Sequence, residues 1–283
     1  MKKAKRLYLF LALVFIIFSC CLVIIPLYFT VLNSFKPYSE IAANIAAFPH
    51  NPTLSNFKEA WRRLDFLRVL GNTLIVTVFS AIGTVILSGM TGYWITRHNN
   101  WFTKLCFVLI LCGMSVPFQC IMITFAKMIG LLKLGNHYLG VILSNWTFSM
   151  PMSVFLVTGA VKALPLEIEE SAVIDGCSPM SLYWRIVFPL TKGTMFTIVC
   201  LEVLKYWNNY LMTQFILTKP QLRTIQIAMM SLFNEALFSW DVAVAAVTLS
   251  ILPLFVFFVI SQKQVPQIVM DSVMDIPVFG VSV

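Results

Sequence analysis

The sequence has little charge. Only 11% of its 283 residues are Asp, Glu, Lys or Arg, whereas 59% are hydrophobic. A soluble domain holds roughly 25% charged residues, so this composition indicates a membrane protein. The net charge of +8 does not indicate nucleic-acid binding, because Lys and Arg gather on the cytoplasmic flanks of membrane helices. The expected surroundings are a lipid bilayer, and no nucleic-acid partner is expected.

Groups that bind metals or perform catalysis are scarce. The three histidines are scattered along the chain, and no two cysteines have Cys-x-x-Cys spacing. This pattern predicts neither a zinc site nor a disulfide framework. No Ser/His/Asp or Cys/His grouping indicates a nucleophile, and no Gly-x-x-x-x-Gly-Lys-Ser/Thr loop is present to bind ATP. We therefore expect a chain that is not an enzyme and has no metal or cofactor of its own.

Long apolar segments are abundant instead. A helix that crosses a bilayer needs about 20 apolar residues, and six segments qualify, at residues 7–32, 71–95, 103–127, 137–161, 194–218 and 240–262. This predicts an all-α integral membrane protein with six transmembrane helices in a single domain over residues 1–283. The first segment is too long for a signal peptide and lacks an obvious cleavage site, so we expect it to be retained.

Four basic residues among the first six place the N-terminus in the cytoplasm. Six crossings then return the C-terminus to the same side, together with the stretch at 162–193. The segments 33–70, 128–136 and 219–239 would be external. We expect 33–70 to be an ordered cap with a helix that starts near Thr53, and 225–238 to be either an interfacial helix or a loop that faces substrate or a partner.

A polar stretch at 164–189 holds four of the chain's 12 acidic residues. Pro165 suits the first turn of a helix, and glutamates near its positive end add to that preference. Gly176 can end this helix, the Ser-Pro pair at 178–179 is typical of the start of another, and Pro189 would end the second. The stretch is predicted to be two short helices joined by a turn. It is either a loop between membrane helices or an element that another protein binds.

The spacing within 164–189 resembles the cytoplasmic loop motif of bacterial ABC importer permeases, which is Glu-Ala-Ala, three residues, Gly, nine residues, Ile-x-Leu-Pro. The matching residues are Glu170, Ser171, Ala172, Gly176, Ile186, Phe188 and Pro189. Ser171 replaces an Ala and Phe188 replaces the Leu, and both keep size or apolarity. The resemblance implies that these residues, with Asp175, form an ATPase-coupling loop whose segment from Glu170 to Gly176 sits in a cleft of the ATPase.

Other pieces are similar to carbohydrate-importer permeases of the maltose type. They lie at residues 33–36, 114–119, 130–135, 150–155, 207–208 and 223–224. Two departures stand out. Asn209 replaces an acid that the family often has, and the tail at 264–283 lacks the family's usual Gly- and Ala-rich end.

The resemblance implies a type I ABC importer permease fold in the plasma (inner) membrane of a bacterium. It implies a heterodimer with a second, unlike permease, two ATPase subunits that carry ATP and Mg, and an extracellular or periplasmic sugar-binding protein. The function it implies is import of a sugar or oligosaccharide, coupled to the ATPases through the loop at 164–189.

The fifth apolar segment contains a polar cluster, in a region where such groups are costly and usually functional. Its members are Glu202, Lys205, Tyr206, Trp207, Asn208 and Asn209. Glu202 and Lys205 are three residues apart, so they share a helix face and could neutralise each other. Aromatic rings beside amides suit the mixed surface of a sugar, which makes the cluster a candidate substrate pathway. Packing between membrane helices would also explain it.

Two alternatives remain. An ABC importer permease for a non-sugar substrate would share the loop motif. A secondary carrier would not, and the sequence shows no internal repeat of the kind from which many carriers are built.

Overall fold

The computed structural model describes residues 2–233 and 239–262, and both ranges are helical without a β-strand. The chain divides into two compact units, one from residues 1–67 with 228–253 and the other from 68–227 with 254–283. Each unit is assembled from two separate stretches of sequence. The single transmembrane domain predicted over 1–283 stays a prediction.

The first unit begins with one long apolar helix and two short ones. They are α1 (Lys2–Ser34), α2 (Tyr38–Ala43) and α3 (Ser55–Leu64). In the part of α1 from Leu9 to Ser34, the most apolar stretch has no residue buried within the chain. Pro26 lies inside α1 without ending it. The apolar surface of α1 therefore needs lipid or another protein to cover it.

Buried polar contacts order the segment between α1 and α3. Lys36 is fully buried, and its Nζ donates to the carbonyls of Asn44 and Ile45 at 3.3 and 3.1 Å. Asn56 on α3 donates to the carbonyls of Ser34 and Lys36 at 3.0 and 2.8 Å. The predicted ordered segment is confirmed. The start of the helix differs slightly from the prediction. The first residue of α3 is Ser55, and its N-cap is Leu54, one residue after Thr53.

The second unit contains most of α4 (Phe66–Arg97), followed by α5 (Trp101–Cys112), a 3₁₀ turn at Gly113–Ser115, α6 (Phe118–Leu131) and α7 (Tyr138–Ala163). The prediction of one helix over 103–127 is wrong. Instead α5 and α6 meet at 105°. Pro117 precedes α6, where its ring and missing N–H prevent a continuous helix.

Short helices follow α7. They are α8 (Leu166–Ile174), α9 (Pro179–Leu182), a π-helical turn at Tyr183–Val187, α10 (Phe188–Leu190), α11 (Lys192–Trp207), α12 (Leu211–Ile216) and a 3₁₀ turn at Pro220–Leu222. The predicted fifth helix over 194–218 is therefore interrupted after Trp207. The run from Pro179 to Leu190 extends one residue past Pro189, then bends by 75° into α11.

The chain continues with α13 (Ile225–Phe233) and α14 (Trp240–Ser261). Five of the nine residues of α13 are buried within the chain. This burial does not fit the predicted alternative of an interfacial helix, which would lie on the membrane with one face exposed to water. The predicted stretch continues to residue 238, and its last five residues lie outside the described ranges.

Among the described residues, four single helices are long and apolar enough to cross a membrane: α1, α4, α7 and α14. Two bent pairs qualify if each pair counts as one crossing, namely α5 with α6 and the run of Pro179–Leu190 with α11. The total is then six. The all-helical, six-span fold is confirmed, with two of its spans broken rather than straight.

Close helix packing holds the second unit together. Gly83 on α4 lies against the indole of Trp146 on α7, where an added Cβ would collide with the ring. Gly92 lies against Val157 in the same way, one turn before the end of α4. Small residues let two membrane helices approach closely, because dispersion contacts take the place of the hydrophobic effect there. The resulting core joins α4 and α7 to α11 through fully buried side chains such as Ile198.

Candidate functional site

The loop at 164–189 has the predicted helix–turn–helix form. Gly176 has φ of +84°, the left-handed conformation that glycine favours. Its amide donates to the Val173 carbonyl, and the next amide, of Cys177, donates to the Ala172 carbonyl, both at 3.0 Å. This pair of bonds is a Schellman motif, which satisfies the last carbonyls of α8. Ser178 caps α9, with its hydroxyl accepting from the Ser181 amide at 3.4 Å.

Two adjacent glutamates of α8 face opposite ways. Glu169 is buried, while Glu170 is exposed. Arg97, the last residue of α4, donates through Nε to Oε1 of Glu169 at 2.9 Å and through Nη2 to the same oxygen. Tyr93, one turn earlier on α4, donates to the other carboxylate oxygen at 3.0 Å. Both oxygens of Glu169 are therefore used within the chain, and those of Glu170 face outward.

The outer face of α8 and the following turn is partly apolar. Ile174 is 85% exposed and Val173 is 58% exposed, next to the exposed Asp175 and Gly176. Exposed apolar side chains bordered by carboxylates are typical of a protein-binding surface. The first half of the predicted motif therefore presents a surface, apart from Ala172, which is buried.

The second half of the motif packs inside the chain. Val187 is fully buried in the core, and Ile186 and Phe188 are half-buried. The ring of Phe188 packs against Trp184, with centroids 5.2 Å apart, while Pro189 is exposed. Val187 and Phe188 thus pack with the core that α4, α7 and α11 share, and they anchor the loop to these helices.

The polar cluster of α11 extends into two other helices. The Ser149 hydroxyl of α7 donates to Oε2 of Glu202 at 2.5 Å and accepts from Nζ of Lys205 at 2.9 Å. Lys205 also lies 3.4 Å from the same carboxylate oxygen. The expected neutralisation of Glu202 by Lys205 is observed, with Ser149 bridging the two groups.

A second branch of hydrogen bonds connects α11 to α4. The hydroxyls of Tyr206 and Thr84 are 2.7 Å apart. Asn209, just past the end of α11, donates to Oδ1 of Asn145 at 3.1 Å, and Asn145 donates to the Ser80 hydroxyl at 2.9 Å. Side chains from three helices thus converge where α11 ends. We call the eight residues the α11 polar cluster: Ser80, Thr84, Asn145, Ser149, Glu202, Lys205, Tyr206 and Asn209.

Two predicted pathway residues stand at the edge of this cluster. Trp207 is buried, whereas Asn208 is exposed. The Asn208 side chain donates to the Leu204 carbonyl at 2.9 Å and accepts from Gln226 at 3.3 Å. Of the six predicted residues, Asn208 and Lys205 are thus the accessible ones.

Sequence reasoning missed the partners on α4 and α7. The signal was present, because α4 carries buried hydroxyls three or four residues apart along one face, at Thr73, Thr77, Ser80, Thr84 and Ser88. Asn145, Ser149 and Ser153 form a similar stripe on α7. Arg97 and Tyr93 had no such signal, since only the fold shows that α8 returns to the end of α4.

An apolar cavity of about 500 Å³ lies between α6 and α7. It adjoins the α11 polar cluster at Phe148, whose carbonyl accepts from Nζ of Lys205 at 3.2 Å. Its walls include Phe125, Met128 and Phe148, with two threonines among the polar exceptions. Such walls do not suit a sugar. In the described ranges no group of three or more His, Cys, Asp or Glu could hold a metal ion.

The sequence pattern of one protein family, the binding-protein-dependent transport system inner membrane component, matches residues 84–269. The chain is 32% identical to a probable starch degradation products transport system permease of Thermoanaerobacterium thermosulfurigenes, over 84% of this chain and 87% of the relative. It is 30% identical to a melibiose/raffinose/stachyose import permease of Bacillus subtilis, over 86% of this chain and 88% of that relative.

The fold is shared with solved structures, among them one ABC transporter. It is the crystal structure of a bacterial ABC transporter involved in the import of the acidic polysaccharide alginate, with a TM-score of 0.81 and 18% identity, covering 92% of this chain and 97% of the matched one. The family match spans more than half of the sequence. The chain therefore belongs to the binding-protein-dependent inner membrane components, as a membrane-spanning permease subunit of an ABC importer that works with separate ATPase subunits and a substrate-binding protein and is not itself an enzyme.

Proposed function

We propose that this chain is a permease subunit that imports an oligosaccharide or a related sugar, with α8 as the helix that docks on an ATPase. The observation that carries the docking role is the opposite orientation of Glu169 and Glu170. One carboxylate fixes α8 to its own subunit, and the other stays available beside Val173 and Ile174. ATP and Mg bind on the ATPase subunits.

The substrate class rests on the relatives. One is named for starch degradation products and another for melibiose, raffinose and stachyose. The α11 polar cluster supports this class, because hydroxyls, amides and a tyrosine line the end of α11. A sugar path beside Asn208 and Lys205 would meet an amide that donates and accepts hydrogen bonds and an ammonium group that donates them.

Assembly and orientation complete the proposal. A second, unlike permease pairs with this chain, which supplies a cover for part of the exposed apolar surface of α1. Both termini lie in the cytoplasm, as the basic residues at 2–6 favour, and this places the 164–189 loop on the ATPase side. The membrane is the plasma membrane of a bacterium.

The test begins with the binding protein that serves this transporter. Thermal shift with maltotriose, raffinose and arabinotriose identifies which sugar it binds, and the whole transporter is then reconstituted with Mg-ATP inside vesicles. We expect uptake of that sugar only with ATP. Uptake driven by an ion gradient without ATP would overturn the importer mechanism, and ATP-driven uptake of a non-sugar alone would overturn the substrate class.

A further inference from the structure

The coupling of α8 to the membrane helices depends on few side chains. Only Glu169 and Ala172 are buried among the nine residues of α8. A helix this short is not stable by itself, so tertiary contacts must hold it in place. The contacts of Glu169 are the polar part of that attachment.

The attachment is directed at one face of one membrane helix. Tyr93 and Arg97 are four residues apart on α4, so their side chains lie on the same face. Together they occupy both carboxylate oxygens of Glu169, and Arg97 also approaches the Leu164 carbonyl at 3.4 Å, just before α8. The charged groups are largely withdrawn from water, with the Arg97 side chain 16% exposed and that of Glu169 9% exposed.

The contact with Arg97 and Tyr93 holds the carboxylate of Glu169 in one orientation. Nε and Nη2 of Arg97 donate to one oxygen of Glu169 and the Tyr93 hydroxyl donates to the other, so three donors from two side chains hold the carboxylate, which a single Lys contact would not do. The middle of α4 carries the contacts to the α11 polar cluster, through Thr84 and Ser80. A displacement of α8 would thus be passed to the helix that also contacts the end of α11.

We propose that Arg97, Glu169 and Tyr93 are positioning residues that make α8 and the adjacent end of α4 move as one body when the ATPases engage α8. The inference rests on the proposed docking of α8. It assigns Glu169 a role distinct from that of Glu170: Glu169 transmits the displacement inside the subunit, and Glu170 meets the partner.

Charge reversal tests the pair in the whole reconstituted transporter. In Arg97→Glu two carboxylates face each other, and in Glu169→Arg two cations do, whereas the double variant restores opposite charges. The transported sugar is the one that the thermal-shift test identifies. We expect each single variant to lower its uptake per Mg-ATP hydrolysed by about tenfold, a usual size for coupling between sites. The double variant should return to within about threefold of the wild type.

The ratio of uptake to hydrolysis separates coupling from stability. A purely structural role would reduce the amount of assembled transporter and leave the ratio unchanged in what remains, which would overturn the proposal. Lys162→Gln is the matched control, because it removes another cation near the end of a membrane helix, one that lies over the Phe107 ring at 5.9 Å and not against Glu169. Its ratio should equal that of the wild type.

Tyr93→Phe keeps the proposal testable if the charge variants fail to insert. It removes one hydroxyl and preserves the ring, so the fold should survive, and we expect a fall of about fivefold in the ratio. An unchanged ratio in Tyr93→Phe, or a double variant as impaired as the single ones, would overturn the inference. A wild type without ATP-driven sugar uptake would instead contradict the proposed function.

Discussion

Gly176 shows how a single residue shapes the proposed docking element. Apart from the glycine and its two chain neighbours, no residue has a heavy atom within 4 Å of the position that a Cβ would occupy there, so a larger side chain has room. The difficulty is the backbone, since φ of +84° costs other residues roughly 1–2 kcal/mol. The turn after α8 therefore needs glycine for its conformation and not for its size.

Gly176→Ala should thus shift the turn and weaken the engagement of the ATPase. We expect fewer sugars imported per ATP hydrolysed, measured in reconstituted vesicles, with the chain still inserted in the membrane. Gly159→Ala is the control, because Gly159 lies within α7, also has open space around it and has no positive φ. Normal coupling in Gly176→Ala would contradict the docking role of this turn.

Asn208 is the residue on which the proposed sugar path can be tested most directly. Its side chain is exposed and contacts Gln226 through a single bond at 3.3 Å. Asn208→Ala should lower sugar uptake by about fivefold, corresponding to a hydrogen bond of roughly 1 kcal/mol. Asn99→Ala, at an exposed asparagine outside this segment, should have no effect. Unchanged uptake and sugar range in Asn208→Ala would argue against the path.

At the scale of the element, α11 is held to α4 by a hydroxyl pair. Tyr206→Phe removes one member and Thr84→Val the other, and each should lower stability in detergent by about 1 kcal/mol, the usual size of polar contacts between membrane helices. The double variant should lose little more than Tyr206→Phe alone, because Tyr206→Phe already removes the contact with Thr84. Additive losses in thermal unfolding would show that the hydroxyls act independently.

Helix α3 provides a pH-dependent contact outside the membrane-spanning helices. Glu59 accepts hydrogen bonds from Arg62 and Arg63, which lower the pKa of its carboxyl from 4.5 to about 2. A lowered pKa means that the contribution to stability is complete above pH 4.5 and is lost as the pH falls toward 2. The contribution is small, because all three side chains reach solvent.

We therefore expect the difference in melting temperature between the wild type and Glu59→Gln to stay constant from neutral pH down to about 4.5 and to shrink below it. The measurement is thermal unfolding in detergent across this pH range. A difference that changes between pH 7 and 6 would point to another titrating group, because this carboxyl is fully ionised there.

Across the whole molecule, orientation in the membrane depends on charge. Replacing Lys2, Lys3, Lys5 and Arg6 with Gln removes the cluster that favours a cytoplasmic N-terminus. A C-terminal fluorescent reporter that folds only in the cytoplasm should then lose signal. Lys133→Gln, in a segment predicted to be external, should leave the signal unchanged. Full signal after the fourfold change would show that other segments fix the orientation.

The sequence by itself determined the class of the protein and the place of its key loop. Six apolar segments required helices, because an unpaired backbone group is too costly in lipid. The turn at Gly176 and the cap at Ser178 were predicted from residue chemistry alone, since both are local backbone requirements. The helix breaks at 113–117 and after Trp207 were not predicted, although Pro117 offered a signal for the first.

Only the tertiary structure decided which polar groups meet. Glu169 and Glu170 are neighbours with the same side chain, and sequence favoured Glu170 as part of the motif. The fold buries Glu169 against Arg97, which is 72 residues away in the chain. It likewise brings Ser149 between Glu202 and Lys205. Such contacts depend on how whole helices cross, and helix crossing is set by close packing at residues such as Gly83 and Gly92, whose partners no local pattern reveals.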